Sequence, residues 1–218
     1  MKRAKTLAIH RLLIEEYGER EWQPRPNPLE VLVRTILSQN TSDVNRDRAW
    51  RRLRERFPTW EEVLVANVEE IAEAIRPGGL ADQKAPRIQE ALRIIQEERG
   101  ELSLNFLNDM ELSGAKRWLR SLKGVGPKTA AIVLLFAFNK PAFPVDTHVH
   151  RVSRRLGLIS PKASAQKAHD ILEELLPPEA YYTFHLNMIA HGRQVCKSQR
   201  PHCQICILKE HCDYFKRL

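Results

Sequence analysis

Four cysteines near the end of the chain have a spacing that could bind a metal centre. They follow the pattern C-x6-C-x2-C-x5-C, at Cys196, Cys203, Cys206 and Cys212. Four thiolates complete a tetrahedral zinc site and also hold an iron–sulfur cluster, so the spacing alone leaves both alternatives open. Lys197 and Arg200 lie between the first two cysteines. A metal-held loop would present these two cations to phosphate groups.

A second stretch, LKGVGPKTA at residues 122–130, could bind an anion and supply a nucleophile. Gly124 and Gly126 allow positive φ and close approach, and Pro127 suits the first position of a helix. Free backbone N–H groups at such a helix start attract phosphate. Lys128 is unusual there because a cation opposes the helix dipole, and a neutral lysine amine is a nucleophile. An ordinary helix–turn–helix connection is the alternative.

A third stretch, PVDTHVHRV, places Asp146 just before residues with helical spacing. Aspartate at this position is typical of an N-cap, whose carboxylate accepts backbone hydrogen bonds. An ionised carboxylate at the mouth of a cleft could also stabilise developing positive charge or transfer protons. Structural capping and a catalytic role are both compatible with this position.

Helices must position these residues, because apolar side chains recur with helical periodicity along nearly the whole chain and strand-like alternation is almost absent. The pattern therefore predicts an all-α protein, with Asn67 as an N-cap and a central buried helix at residues 130–138. Changes in composition at residues 23–28 and 139–144 indicate two connections between lobes. The predicted helices cover residues 5–17, 29–39, 44–57, 68–76, 82–100, 113–121, 130–138, 147–157, 162–176 and 179–191.

Charge and hydropathy restrict the classes of partner. The 218 residues include 35 Lys and Arg against 27 Asp and Glu, a net charge of +8, which suits a polyanion, although a basic solvated surface is the alternative. The longest apolar run, residues 130–138, is far below the roughly 20 residues of a membrane span. The first residues lack a signal-peptide cleavage site, which argues against disulfides. We expect a cytoplasmic monomer, nucleoid-associated in a prokaryote, with no membrane partner.

Together the three stretches resemble the endonuclease III family of DNA glycosylases, within the helix-hairpin-helix superfamily. LKGVGPKTA is similar to the hairpin that ends in the family's catalytic lysine, and VDTH is similar to the segment with its catalytic aspartate. The resemblance extends from about residue 28 to the C-terminus. It implies that Lys128 and Asp146 are catalytic. It also implies a 4Fe-4S cluster on Cys196, Cys203, Cys206 and Cys212.

The resemblance also implies a surface that contacts DNA. ILSQNTSD, at residues 36–43, is similar to a segment that faces the minor groove, and GGLADQKA, at residues 78–85, resembles an intercalating loop. Asn40 stands where glutamine is usual and Ala81 where a bulkier residue is common, which leaves the preferred lesion open. The expected DNA contacts are Gln39, Asn40, Leu80, Gly124, Gly126, His148, Lys197 and Arg200.

The fold implied by the resemblance has two lobes. Residues 27–141 would form a helical barrel that contains the helix-hairpin-helix at about residues 113–138. Residues 1–26 and 142–218 would form an iron–sulfur domain with the cluster loop at residues 196–212.

The implied function is base excision repair of double-stranded DNA that contains a damaged, mispaired or abasic nucleotide. Lys128 would attack the sugar, release the base through a Schiff base and cleave the strand by β-elimination, which is AP lyase activity. A monofunctional glycosylase, in which Asp146 activates water, is one alternative. A non-catalytic DNA-binding module is the other.

Overall fold

The computed structural model describes residues 1–24 and 27–218, and within these residues there are α-helices and short 3-10 helices but no strand. The prediction of an all-α protein is confirmed. The predicted connection at residues 23–28 lies partly outside the described residues. The α-helices are α1 (Lys2–Tyr17), α2 (Pro28–Leu37), α3 (Asp43–Arg56), α4 (Trp60–Val65), α5 (Val68–Ile75), α6 (Ala81–Arg99), α7 (Leu112–Ser121), α8 (Pro127–Phe138), α9 (Thr147–Arg155), α10 (Ala165–Leu175) and α11 (Tyr181–Gln194).

The chain divides into two compact units. One, called here the continuous unit, is Pro24–Phe138, and the other, the discontinuous unit, consists of Met1–Gln23 and Asn139–Leu218. No helix in the described ranges is both long enough and apolar enough to cross a membrane.

The core of the continuous unit is built around α8. This helix packs against α2 and α7, while α5 packs against α6. Val133, Leu134 and Leu135 of α8 are almost completely buried, each contributing about 2 kcal/mol of hydrophobic stabilisation. The predicted buried helix is therefore present, and it begins at Pro127, three residues earlier than its uniformly apolar run.

Several helices of the continuous unit begin directly after a residue that is typical of an N-cap. The side-chain oxygen of Asn27 accepts hydrogen bonds from the backbone N–H groups of Leu29 and Glu30, which starts α2. Asn67 occupies the N-cap of α5 as predicted, but its side chain makes no capping hydrogen bond. Helix α4, which Thr59 caps, was not predicted, because its six residues are too few to establish a helical period.

The discontinuous unit brings α1 against α11 and α9 against α11. Asn187 of α11 is fully buried and donates hydrogen bonds from Nδ2 to the carbonyl groups of Leu13 and Gly18, at 3.2 and 2.9 Å. Nζ of Lys5 also donates to Asp213, at 2.7 Å. These hydrogen bonds hold the N-terminal helix against the last third of the chain.

Candidate functional site

The hairpin between α7 and α8 gives the continuous unit a helix start with backbone donors that no hydrogen bond within the helix uses. The N–H of Val125 donates to the carbonyl of Leu122, and the N–H of Ala130 donates to the carbonyl of Gly126, both at 3.0 Å. The N–H groups of Lys128 and Thr129 precede that first helical bond, so they have no acceptor within α8. This arrangement can bind an oxyanion.

Gly124 is required by the shape of the hairpin. Its φ is +84°, and a Cβ at this position would lie 2.6 Å from Cδ of Arg87. The carbonyl of Gly124 also accepts a hydrogen bond from Nε2 of Gln39, at 3.0 Å. The predicted contact residues Gln39 and Gly124 are therefore joined by a hydrogen bond within the continuous unit. Gly126 lies on the other side of the hairpin turn, directly before α8.

Lys128 lies in the first turn of α8, where its side chain is half-buried. The N-terminal end of the helix dipole faces this residue, which disfavours a cation by about 0.3–1 kcal/mol. A neutral amine at the same position would be available as a nucleophile. The geometry thus places a potential nucleophile beside the backbone donors of the hairpin.

Among the predicted contact residues of the continuous unit other than glycine, Asn40 and Leu80 occupy left-handed backbone conformations. Asn40 has φ +51° and is exposed, and Leu80, immediately before α6, has φ +52° and a residue exposure of 43%. Asparagine tolerates this conformation, but for leucine it costs about 1–2 kcal/mol. An exposed apolar side chain on a strained backbone is typical of a functional contact rather than of packing.

Lys84 is a functional candidate that the sequence analysis missed. It is 1% exposed, and its Nζ donates hydrogen bonds to the carbonyl groups of Leu37 and Gly78, each at 2.8 Å. Burial lowers the pKa of this amine. The available signal was its position on the apolar stripe of α6, together with Ala81 and Ile88.

Asp146 is the N-cap of α9 in the discontinuous unit, as predicted. Its Oδ1 accepts a hydrogen bond from the N–H of Val149 at 2.7 Å, and the side chain is only half-buried. One carboxylate oxygen is therefore used in the cap. The carboxylate retains further lone pairs for a second role.

His148 is held beside Asp146 by an arginine. Nη2 of Arg151 contacts Nδ1 of His148 at 3.0 Å and donates to the carbonyl of Gly192 at 2.8 Å. Burial lowers the pKa of His148, and the positive charges of Arg151 and Arg193 act in the same direction, whereas Asp146 opposes them. The imidazole is thus favoured in its neutral form, which allows Nδ1 to accept from Arg151.

The four cysteines line one cavity in the discontinuous unit, together with Arg155, His202 and Phe215. Among the described residues, no three His, Cys, Asp or Glu side chains are arranged to hold one metal ion. Burial, which is the largest cause, and the charges of the three neighbouring cysteines together raise the pKa of the Cys206 thiol to about 11. These thiols lose their protons when they bind a metal centre, and the resulting thiolates repel one another, so the donor set fits a centre that supplies several positive charges.

Arg155, which was not predicted as a site residue, organises the cysteine-containing loop at residues 196–212. Its guanidinium donates to Sγ of Cys196 at 3.4 Å and to the carbonyl groups of Lys197 and Ser198 at 2.6 and 3.0 Å. The same guanidinium lies 4.8 Å from the ring centre of Tyr214. Lys197 is exposed, and Arg200 is exposed with φ +46°, so both predicted contact cations face solvent.

Comparison with known proteins identifies the family. The sequence pattern of the HhH-GPD superfamily base excision DNA repair protein matches residues 33–178. The chain belongs to the HhH-GPD superfamily. Among HhH-GPD proteins, endonuclease III of Thermotoga maritima is 39% identical over 191 residues, which are 88% of this chain and 85% of that protein. Endonuclease III of Bacillus subtilis is 35% identical, covering 85% of this chain and 81% of that protein.

Solved HhH-GPD structures share the fold over nearly the whole chain. A non-covalent endonuclease III–DNA complex is 30% identical, with a TM-score of 0.83 over 99% of this chain and 97% of that one. A trapped endonuclease III–DNA covalent intermediate is also 30% identical, with a TM-score of 0.84 and the same coverage. The resemblance to endonuclease III and the expected helix-hairpin-helix glycosylase fold are both confirmed.

Proposed function

We propose that this chain is a base excision repair DNA glycosylase with AP lyase activity, in which Lys128 is the nucleophile. The observation that carries the proposal is a half-buried lysine at the end of the hairpin, in a chain 30% identical to an endonuclease III trapped covalently on DNA. The partner is double-stranded DNA that contains a damaged, mispaired or abasic nucleotide. The net charge of +8 favours that polyanion.

The reaction requires a nucleotide to leave the duplex, because the target atoms are inaccessible within the base stack. Leu80, Gln39 and Asn40 would occupy the vacated space, as apolar wedges do in minor-groove binders. The backbone N–H groups at the start of α8 would hold a phosphate of the extruded nucleotide. These contacts position the sugar for attack.

Lys128 would then attack C1′ of the deoxyribose, and the bond between C1′ and the base would break. Loss of the lysine proton and opening of the sugar ring give a Schiff base, from which β-elimination cleaves the strand on the 3′ side. Asp146 would stabilise the positively charged sugar and assist proton transfer. A single carboxylate can do this while one of its oxygens remains in the cap of α9.

The test of this function is trapping by borohydride on a panel of duplexes, each with one defined lesion or abasic site. A covalent protein–DNA complex is expected, because borohydride reduces the Schiff base. Base release without trapping would instead indicate a monofunctional glycosylase. Binding without base release or strand cleavage would indicate a non-catalytic module. The panel also identifies the lesion that Asn40 and Ala81 favour.

Leu80 offers a prediction in which stability and activity change in opposite directions. Leu80→Gly should raise the free energy of unfolding by about 0.5 kcal/mol, because relief of the left-handed strain exceeds the extra chain entropy of glycine. Excision from paired duplex should fall about tenfold, as expected if the side chain offsets ~1.4 kcal/mol of unstacking. Urea unfolding and single-turnover excision measure the two effects.

Leu80→Ala is the matched control for this prediction, since it removes the side chain but keeps a Cβ on the left-handed backbone. It should lose the same activity without the gain in stability. Full excision by either variant would show that Leu80 is not a wedge.

For the metal centre, we propose a 4Fe-4S cluster held by Cys196, Cys203, Cys206 and Cys212. Four cysteine ligands leave no open coordination position, so the cluster supplies structural stabilisation rather than a reacting metal. Arg155 would neutralise part of the sulfur charge, and the cations Lys197 and Arg200 would then be presented to the DNA backbone. The two compact units would correspond to the expected helical barrel and iron–sulfur domains.

Cys203→Ala should abolish this cluster. The purified protein should lose its broad visible absorption and its content of about four iron atoms per chain. It should also unfold more easily in the discontinuous unit, because metal binding is coupled to folding of the loop. Ile205→Ala is a matched control in the same loop, since Ile205 is 72% exposed. A colourless wild-type protein that contains zinc would contradict the cluster assignment.

A further inference from the structure

Lys84 joins two turns that lie far apart in the sequence. One acceptor of its ammonium group, the carbonyl of Leu37, is 47 residues away, whereas the other, the carbonyl of Gly78, is six residues away. Leu37 ends α2 three residues before Asn40, and Gly78 lies two residues before Leu80. The amine therefore binds the backbone shortly before each of the two left-handed residues, Asn40 and Leu80.

The turn at Gly78 also packs closely against its surroundings. A Cβ on Gly78 would lie 3.1 Å from Cβ of Ala49 and 3.9 Å from the carbonyl oxygen of Leu37. The turn before Leu80 thus lies directly against the end of α2, and the Lys84 amine binds both segments. Within the continuous unit, this contact joins the segment before Asn40 to the segment before Leu80.

Stability alone does not account for a lysine at this position. None of the ion pairs among the described residues includes Lys84, so the charge is buried with carbonyl partners and no carboxylate. Burying an ammonium group is costly, and apolar side chains of similar volume often stabilise such positions better. The amine instead fixes the local geometry, because its Nζ lies 2.8 Å from the carbonyl oxygens of two different segments.

We propose that Lys84 is a positioning residue that sets the distance between the Asn40 and Leu80 turns, so that both side chains enter the DNA base stack together. This inference rests on the proposed function, because it assigns Lys84 to the extrusion step of that reaction. Lys84 acts through the two turns, and the chemical step at the sugar does not depend on it.

The test is Lys84→Met, which keeps much of the side-chain length and removes the donors. Single-turnover strand cleavage is measured at an abasic site in a duplex and at the same site in single-stranded DNA, which requires no displacement of a paired strand. We expect a loss of about tenfold or more in the duplex, as for other misplaced contact groups, and no change in single-stranded DNA. Fluorescence of 2-aminopurine beside the site should report slower extrusion.

Ile88→Val is the control, because Ile88 is fully buried on the same helix, its truncation costs about 1 kcal/mol, and the Lys84 amine and its two acceptors are kept. It should leave the ratio of duplex to single-stranded cleavage unchanged. Gly78→Ala is a second variant, which crowds Ala49, keeps Lys84 and should reproduce the selective loss in duplex even if Lys84→Met folds poorly.

The proposed role of Lys84 is wrong if the folded variants lose the same fraction of cleavage rate on both substrates. It is also wrong if they lose none on either substrate. Failure of the wild-type protein to form a borohydride-trapped complex would instead overturn the proposed function. The two failures are therefore distinguishable in the same set of reactions.

Discussion

Lys128→Gln should form no borohydride-trapped complex, and its strand cleavage at an abasic site should fall by about a thousandfold or more, as for other nucleophile deletions. The amide of glutamine cannot form a Schiff base. Stability should be unchanged or slightly higher, since glutamine is a good helix former and removal of a cation from the first turn relieves about 0.3–1 kcal/mol of unfavourable dipole interaction. Gel analysis of trapped complexes and thermal unfolding measure both outcomes.

Lys123→Gln is the matched control, because Lys123 is an exposed lysine in the same hairpin. It removes the same charge, so it should weaken DNA binding and reduce its salt dependence while trapping persists. Trapping of Lys128→Gln at the wild-type rate would contradict the assignment of the nucleophile. Base release without strand cleavage by that variant would indicate that water can replace the amine in the first step.

Asp146→Asn should separate the two roles of this side chain. Asparagine caps helices about as well as aspartate, so the bond from the N–H of Val149 should persist and the free energy of unfolding should change little. The charge is lost, so single-turnover base release should fall by about 10²–10⁴-fold, the range for acid–base groups. Comparison of unfolding curves with single-turnover rates tests the separation.

Asp146→Ala completes this comparison. It should show the same loss of activity and, in addition, a loss of about 1 kcal/mol of stability, because the cap is removed. Wild-type rates in Asp146→Asn would mean that the residue is only a helix cap. Equal destabilisation of both variants would mean that the capping bond requires the charge.

The parts of the site that depend on local sequence could be predicted. The hairpin, the start of α8 and the cap at Asp146 each follow from a few adjacent residues whose conformational preferences agree. The spacing of the cysteines predicted that the four side chains lie together, and they line one cavity. Left-handed backbone at Leu80 could not be predicted, because leucine disfavours it and only the surrounding packing enforces it.

Residues whose partners are distant in sequence were missed. The carbonyl groups that Arg155 binds are 42 and 43 residues away, and one acceptor of Lys84 is 47 residues away. Such residues give no periodic pattern in the sequence. Their partners are backbone carbonyl groups, which every residue has, so the sequence does not indicate which carbonyl is bound. Only the folded chain reveals that these cations organise the loop and the two turns.

The bonds from Asn187 to Leu13 and Gly18 have a consequence for synthesis on the ribosome. The Leu13 carbonyl precedes its donor by 174 residues. At roughly 5–20 residues per second, α1 is therefore synthesised about 9–35 s before its partner helix. Residues 24–138 emerge in one stretch and can collapse during that interval. Helix α1 therefore reaches its native position only after α11 has been synthesised, which is later than the synthesis of the whole continuous unit.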